Sequence, residues 1–208
     1  LGAIPLLGSL GIAIGYAIGC IQTAFIIGKL CKTDLSKKGS GNLGTTNALR
    51  VLGFKAGLAT FICDILKGVV SFLLARWLFP DEALLAGLYS CAGTILGHDF
   101  PFYLRFKGGK GIAATIGMVL CVGFTASMPL MLISFAIGIV AVAMSGYISL
   151  GSMLFSVAIP ICAFLWKLPL EASILTAVMA ALALWQHRAN IGRLRTGNEN
   201  KFTLRKNV

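Results

Sequence analysis

From Ile112 to Trp185 the sequence is almost wholly apolar, interrupted only by Pro129, by Ser145 to Ser149 and by Lys167-Leu168-Pro169. Crossing the hydrocarbon of a bilayer takes about 20 helical residues. Only helices and closed barrels satisfy their own backbone there. Barrel strands would alternate apolar and polar residues, whereas these stretches are continuous, so the chain reads as an all-α polytopic membrane protein. Composition agrees: 57% of the 208 residues are hydrophobic, 12% are charged and the mean hydropathy is +0.88. A soluble domain carries about a quarter charged residues. An ordinary soluble enzyme, a disordered chain and a secreted disulfide scaffold are all excluded.

Three further apolar segments, Ala3 to Ile27, Phe54 to Phe79 and Ala83 to Gly97, read as spans. In the first, Gly11, Gly15 and Gly19 are spaced for close helix contact. It has no basic n-region and outruns a signal h-region, so it is expected to remain uncleaved. The long run divides into four short spans. The total is then about seven transmembrane helices in one integral membrane domain over 1–208, with five open if 112–185 crosses twice. Lys and Arg concentrate in three places: six over 29–55, three over 105–110 and six in the tail. The positive-inside rule puts those segments in the cytoplasm, with the N-terminus outside and the C-terminus cytoplasmic. The net charge of +11 is read first as that asymmetry and second as affinity for anionic substrates; no nucleic-acid partner is expected. The six cysteines show no C-x-x-C spacing, so neither a disulfide framework nor a zinc site is expected.

Two polar segments hold residues suited to anions. The first reads Gly39-Ser40-Gly41-Asn42-Leu43-Gly44-Thr45-Thr46-Asn47-Ala48-Leu49-Arg50. Its three glycines allow the positive φ angles that turn successive N–H groups into an anion nest. Thr45 or Thr46 suits an N-cap, and a helix starting there offers free amides and a positive dipole end. Asn47 and Arg50, three apart, would share a face of that helix. The segment reads as a phosphate or carboxylate cradle with a guanidinium clamp; a flexible basic loop is the alternative.

The second segment runs from His98-Asp99 through Arg105-Phe106-Lys107-Gly108-Gly109-Lys110-Gly111. A Lys-flanked glycine run leading into a helix suits phosphate on the same grounds. It is not a P-loop, because position 104 is Leu and position 111 is Gly, so nucleotide hydrolysis is disfavoured. His98 reads more readily as a structural hydrogen-bonder than as half of an acid–base pair with Asp99. Asp64 and Lys67, deep in the second span, are spaced to pair. They either line a site or fix a helix orientation, since unpaired ionisable groups at that depth cost several kcal/mol. In the tail, His187 and Asn190 would lie on one side of the last helix as it leaves the membrane. His is the usual proton-transfer residue near neutral pH; an interfacial anchor is the plainer alternative.

Four stretches, GSGNLGTTNALRVLG at 39–53, DILKG at 64–68, GHDFPFYLRFKGGKGIAAT at 97–115 and HRANIGRLRTGNENK at 187–201, together resemble the PlsY family. These are bacterial membrane acyltransferases that use acyl phosphate to acylate glycerol 3-phosphate. The resemblance covers essentially the whole chain. Thr45 stands where the family more often has a small residue, and Gly197 to Lys201 is less charged than usual, so that stretch is expected to be structural only.

The resemblance implies substrate contacts from Ser40, Gly41, Asn42, Thr46, Asn47 and Arg50, and a second phosphate site from Lys107, Gly108, Gly109 and Lys110. It places His187 and Asn190 at the glycerol end. Ser40, Arg50, Lys110 and His187 would carry catalysis, with His187 the candidate base and a substrate phosphate oxygen its rival. The product would be 1-acyl-glycerol 3-phosphate plus inorganic phosphate, made at the cytoplasmic face of the bacterial inner membrane without cofactor, metal or protein partner. The H-x-x-x-x-D arrangement of other glycerol-phosphate acyltransferases is absent: the fifth residue after His98 is Tyr103 and after His187 is Gly192. A transporter of an anionic solute is the competing reading. It should show a midplane site and a repeat between halves, and no repeat is evident.

Overall fold

The structure, a computed structural model, describes residues 3–202, with side chains from Leu7 onward. Ten α-helices occur among those residues, and the chain divides after Ala126 into two compact units. The first holds α1 (Ala3–Gly19), α2 (Thr23–Leu30), α3 (Thr45–Leu52), α4 (Phe54–Leu78), α5 (Ala83–Asp99) and α6 (Ile112–Thr125). The second holds α7 (Met128–Ser145), α8 (Ile148–Leu165), α9 (Leu170–Gln186) and α10 (Arg188–Arg195). Among the described residues, four stretches are long and apolar enough to cross a bilayer: Leu7–Leu30, Phe54–Leu78, Met128–Ser145 and Ile148–Leu165. The bent pair α9 and α10 makes a fifth if taken as one.

In the first unit, small residues let backbones touch. A Cβ on Gly15 would overlap the Ser90 carbonyl and one on Gly19 the Thr94 carbonyl; from the other side, Gly93 meets Ile12 and Gly97 meets Tyr16. So α1 and α5 lie backbone against backbone, the packing that the spacing of Gly11, Gly15 and Gly19 led one to expect. The same device joins α4 to α6, where Gly68 faces the Ala114 carbonyl and Gly117 that of Ile65. The enclosed α5 is buried along most of its length.

The first span is not continuous. It breaks over Cys20 to Gln22, between α1 and α2. The carbonyls freed there are met from elsewhere in the chain: Lys67 Nζ of α4 donates to the Gly19 and Ile21 carbonyls at 3.3 Å each. The Gln22 side-chain amide crosses to the His98 carbonyl at 2.8 Å. A break inside hydrocarbon survives only when its polar groups find such partners.

The apolar run 112–185, which starts with α6 in the first unit and continues through the second, is cut where the sequence led one to expect. Ser127 caps α7 by accepting from Leu130 N, with Pro129 in the first turn. Gly146 turns the chain with φ 77°, and Lys167, at φ 55°, precedes Pro169. The last helix does not run straight out: α9 ends at Gln186, and α10 leaves it at 56°. At the bend the His187 ring Nδ1 donates to the Ala183 carbonyl at 2.7 Å, an oxygen that also keeps its backbone bond from His187 N at 3.1 Å. Beyond α10 the chain returns, and Phe202 N donates to the Gly146 carbonyl at 2.8 Å.

Candidate active site

Because α4 and α5 form an antiparallel pair, the segments before α4 and after α5 emerge at one end of the first unit, where Leu43 N donates to the Gly108 carbonyl at 3.4 Å. In the first segment Gly39 and Gly41 hold φ of 62° and 73°, conformations that a side chain would strain. Gly44 does not share them: at φ −140° it is extended and is itself the N-cap of α3. The expected threonine cap is absent, because the helix already includes Thr45 and Thr46.

Asn47 is turned inward, 1% exposed. Its Oδ1 accepts from Ser40 N at 2.8 Å, and its Nδ2 donates to the carbonyls of Leu35 at 3.1 Å and Lys38 at 3.0 Å. That side chain is spent on holding the loop, so its environment differs from that of Arg50, which stands exposed three residues on. Ser40 and Thr46 are exposed; Gly41 and Asn42 are half-buried.

In the second segment α5 continues through His98 and Asp99, two residues further than the expected end of the span. Arg105 and Phe106 turn the chain back at φ 53° and 58°. Gly108 N then donates to the Asp99 carbonyl and Gly109 N to the His98 carbonyl, both at 3.0 Å. Any Cβ on Gly108 or Gly109 would overlap His98, so close approach, rather than positive φ, demands these two glycines. Gly111, at φ 68°, opens α6, whose first-turn amides point back toward the loop. Lys107 is exposed and Lys110 half-buried. Beneath the loop, Lys67 pairs with Asp64 at 3.1 Å and reaches His98 Nδ1 at 2.6 Å.

In the second unit His187 and Asn190 are 3% and 6% exposed. With Nδ1 donating to a carbonyl, a neutral His187 ring keeps its lone pair on Nε2, the nitrogen a general base would use. Asn190 Nδ2 donates to Glu199 Oε1 at 2.8 Å, Ser149 Oγ to the same oxygen at 3.2 Å, and Arg193 Nε to Oε2 at 2.8 Å. Burial alone would push the Glu199 carboxyl up, but the hydrogen bonds from Asn190 and Arg193 and the guanidinium charge outweigh it and hold the group below its ordinary range. Ser149, Arg193 and Glu199 were not among the expected site residues. The signal was there in part: Glu199 is the one acidic residue from 172 to 208.

A sequence model of one protein family, described as glycerol-3-phosphate acyltransferase, matches residues 9–197. The chain belongs to that family. Relatives of the same description include proteins of Thermoanaerobacter pseudethanolicus, 41% identical over 91% of this chain and 92% of its own, and of Alkaliphilus metalliredigens, 43% identical over 90% and 92%. A crystal structure of the integral membrane glycerol 3-phosphate acyltransferase PlsY, in its glycerol 3-phosphate form, superposes with a TM-score of 0.85 at 33% identity, covering 94% of this chain and 96% of that one. Its lysophosphatidic acid form gives 0.82 at 32% identity, over 95% and 96%. Family membership thus joins the helical architecture to the PlsY fold, as the four sequence stretches led one to expect.

Proposed function

We propose that the protein moves a fatty acyl group from acyl phosphate to the 1-hydroxyl of glycerol 3-phosphate, releasing 1-acyl-glycerol 3-phosphate and inorganic phosphate. The observation that carries this reading is the joining of two glycine loops at one end of the first unit, with Arg50, Lys107 and Lys110 around them, in a chain of this family. The relatives' name supports glycerol 3-phosphate as acceptor. Acyl phosphate suits the residues as donor: a mixed anhydride already has a good leaving group, which needs its charge neutralised more than it needs a proton.

The glycerol oxygen attacks the acyl carbonyl and the bond from carbonyl carbon to phosphate oxygen breaks. His187 Nε2 takes the hydroxyl proton. Arg50 and Lys110 offset the charge that grows on the departing phosphate, and Ser40, Gly41, Asn42 and Thr46 line the first cradle beside them. Asn47 keeps that cradle's shape. Lys107, Gly108 and Gly109 complete the second cradle, and Asn190 orients the acceptor beside His187. Seven helices, α1 with α2 as its continuation, α4, α5, α6, α7, α8 and α9, cross the bacterial inner membrane. The N-terminus lies outside and the loops face the cytoplasm, the side favoured by their Lys and Arg.

The test offers purified protein in lipid its acceptor with acyl phosphate or acyl-CoA in separate reactions. Turnover with acyl phosphate alone, releasing one phosphate per acyl group transferred, is the expected result. Turnover only with acyl-CoA would replace the donor, and no turnover by folded protein would bring an anion transporter forward.

A further inference from the structure

Lys67 lies in the middle of α4, 6% exposed. The partners of its ammonium are all acceptors: Asp64 Oδ1 at 3.1 Å, the Gly19 and Ile21 carbonyls at 3.3 Å and, closest, His98 Nδ1 at 2.6 Å. An ammonium donates and never accepts, so Nδ1 is the accepting nitrogen and the neutral His98 ring carries its proton on Nε2. That edge of the ring faces the second glycine loop, since a Cβ on Gly109 would overlap Nε2. The loop is also tied to the same residue through its backbone, by Gly109 N on the His98 carbonyl, with Gly108 N on that of Asp99. His98 therefore supports the loop twice, by its carbonyl and by its ring, and the ring is held by Lys67.

We propose that Lys67 is a positioning residue of the phosphate loop: by fixing the tautomer and tilt of His98 it sets Gly108, Gly109 and the adjoining Lys110 in the arrangement that receives phosphate. The inference rests on the reading of 107–110 as phosphate-binding. An ion pair serving only to orient α4 against α1 would be complete with Asp64 and the two carbonyls. The shortest contact of the four goes instead to the histidine beneath the loop.

The test compares full-length Lys67→Met and Lys110→Ala proteins with the parent in lipid, by steady-state kinetics over both substrates. Lys67→Met should raise the KM of one phosphate-bearing substrate about tenfold while kcat stays within about threefold, the pattern of lost ground-state binding. Lys110→Ala should raise the KM of the same substrate. If Lys110→Ala does so while Lys67→Met leaves both KM values unchanged, or lowers only kcat or the melting temperature, the positioning role is overturned and the loop's reading stands. If Lys110→Ala changes neither KM nor kcat, the loop's reading falls and takes the proposal with it. A second measurement does not need a folded Lys67 variant. The chain has two histidines, so in a His187→Asn background 15N-histidine NMR reads His98 alone. A protonated Nε2 with a bare Nδ1 is expected; a protonated Nδ1 overturns the proposal.

Discussion

Arg50 is exposed on α3, while Asn47, one turn earlier, is bonded to Ser40 N and to the carbonyls of Leu35 and Lys38. Substituting the two should separate substrate binding from loop order. Arg50 is exposed, so Arg50→Ala should shift stability by no more than about 0.5 kcal/mol. Acyl transfer should nonetheless fall at least about a hundredfold, the loss of one preorganised charged contact. Asn47→Ala strands the buried Leu35 carbonyl, at about 1–3 kcal/mol, and frees the part-buried Ser40 N and Lys38 carbonyl, and should lower stability and turnover together. Kinetics and thermal unfolding on the same samples decide both. The sequence offered these two residues as a pair because spacing reveals which side chains are near each other; it does not reveal which of them the loop consumes. Glu199 escaped for a related reason: its three partners, Ser149, Asn190 and Arg193, converge only after the tail has folded back. Its carboxyl is held below the unfolded value, so its stabilising effect is complete above the ordinary Glu pKa of about 4.3 and is lost as pH falls through the lower folded value. Acid unfolding should show a step there, and Glu199→Gln should flatten it.

Among the helices, α4, α5 and the divisions between α6, α7, α8 and α9 were legible, because Pro129, Ser145 to Ser149 and Lys167 to Pro169 punctuate an otherwise apolar text. Two breaks were not. The one at Cys20 to Gln22 depends on contacts of Lys67 and Gln22 with partners remote in sequence, and the bend at His187, where the ring donates to a carbonyl four residues back, has no Pro or Gly to mark it. The glycine stripe of α1 was readable, but its counterpart on α5, Gly93 and Gly97, shows its meaning only when the two helices meet. The contrast gives an element-level prediction. Gly15→Leu must force α1 off α5 and should cost at least about 1–3 kcal/mol. Gly192→Ala, inside α10 with nothing within 4 Å of the new methyl, should gain about 0.5–1 kcal/mol. Melting curves in one detergent compare them directly.

For the molecule as a whole, orientation across the bilayer is the open measurement, and the chain supplies its own probe. Cys31 is exposed in the first polar segment, whereas the other exposed cysteine, Cys63, lies within the apolar helix α4. An impermeant maleimide should leave Cys31 untouched on intact cells and modify it in inverted vesicles, with Cys31→Ser as the blank; modification from outside would reverse the proposed topology. The buried Asp64–Lys67 pair has a consequence for biosynthesis. A charged residue at the centre of a helix costs about 2.5–3.5 kcal/mol on insertion from the translocon, and α4 brings two. Thr23, which donates to Asp64 at 3.2 Å, and the carbonyls of Gly19 and Ile21 precede α4 in the chain, whereas His98 follows Lys67 by 31 residues and emerges after it. Nascent α4 should therefore linger at the insertion machinery beside α1, and move fully into lipid only once α5 arrives.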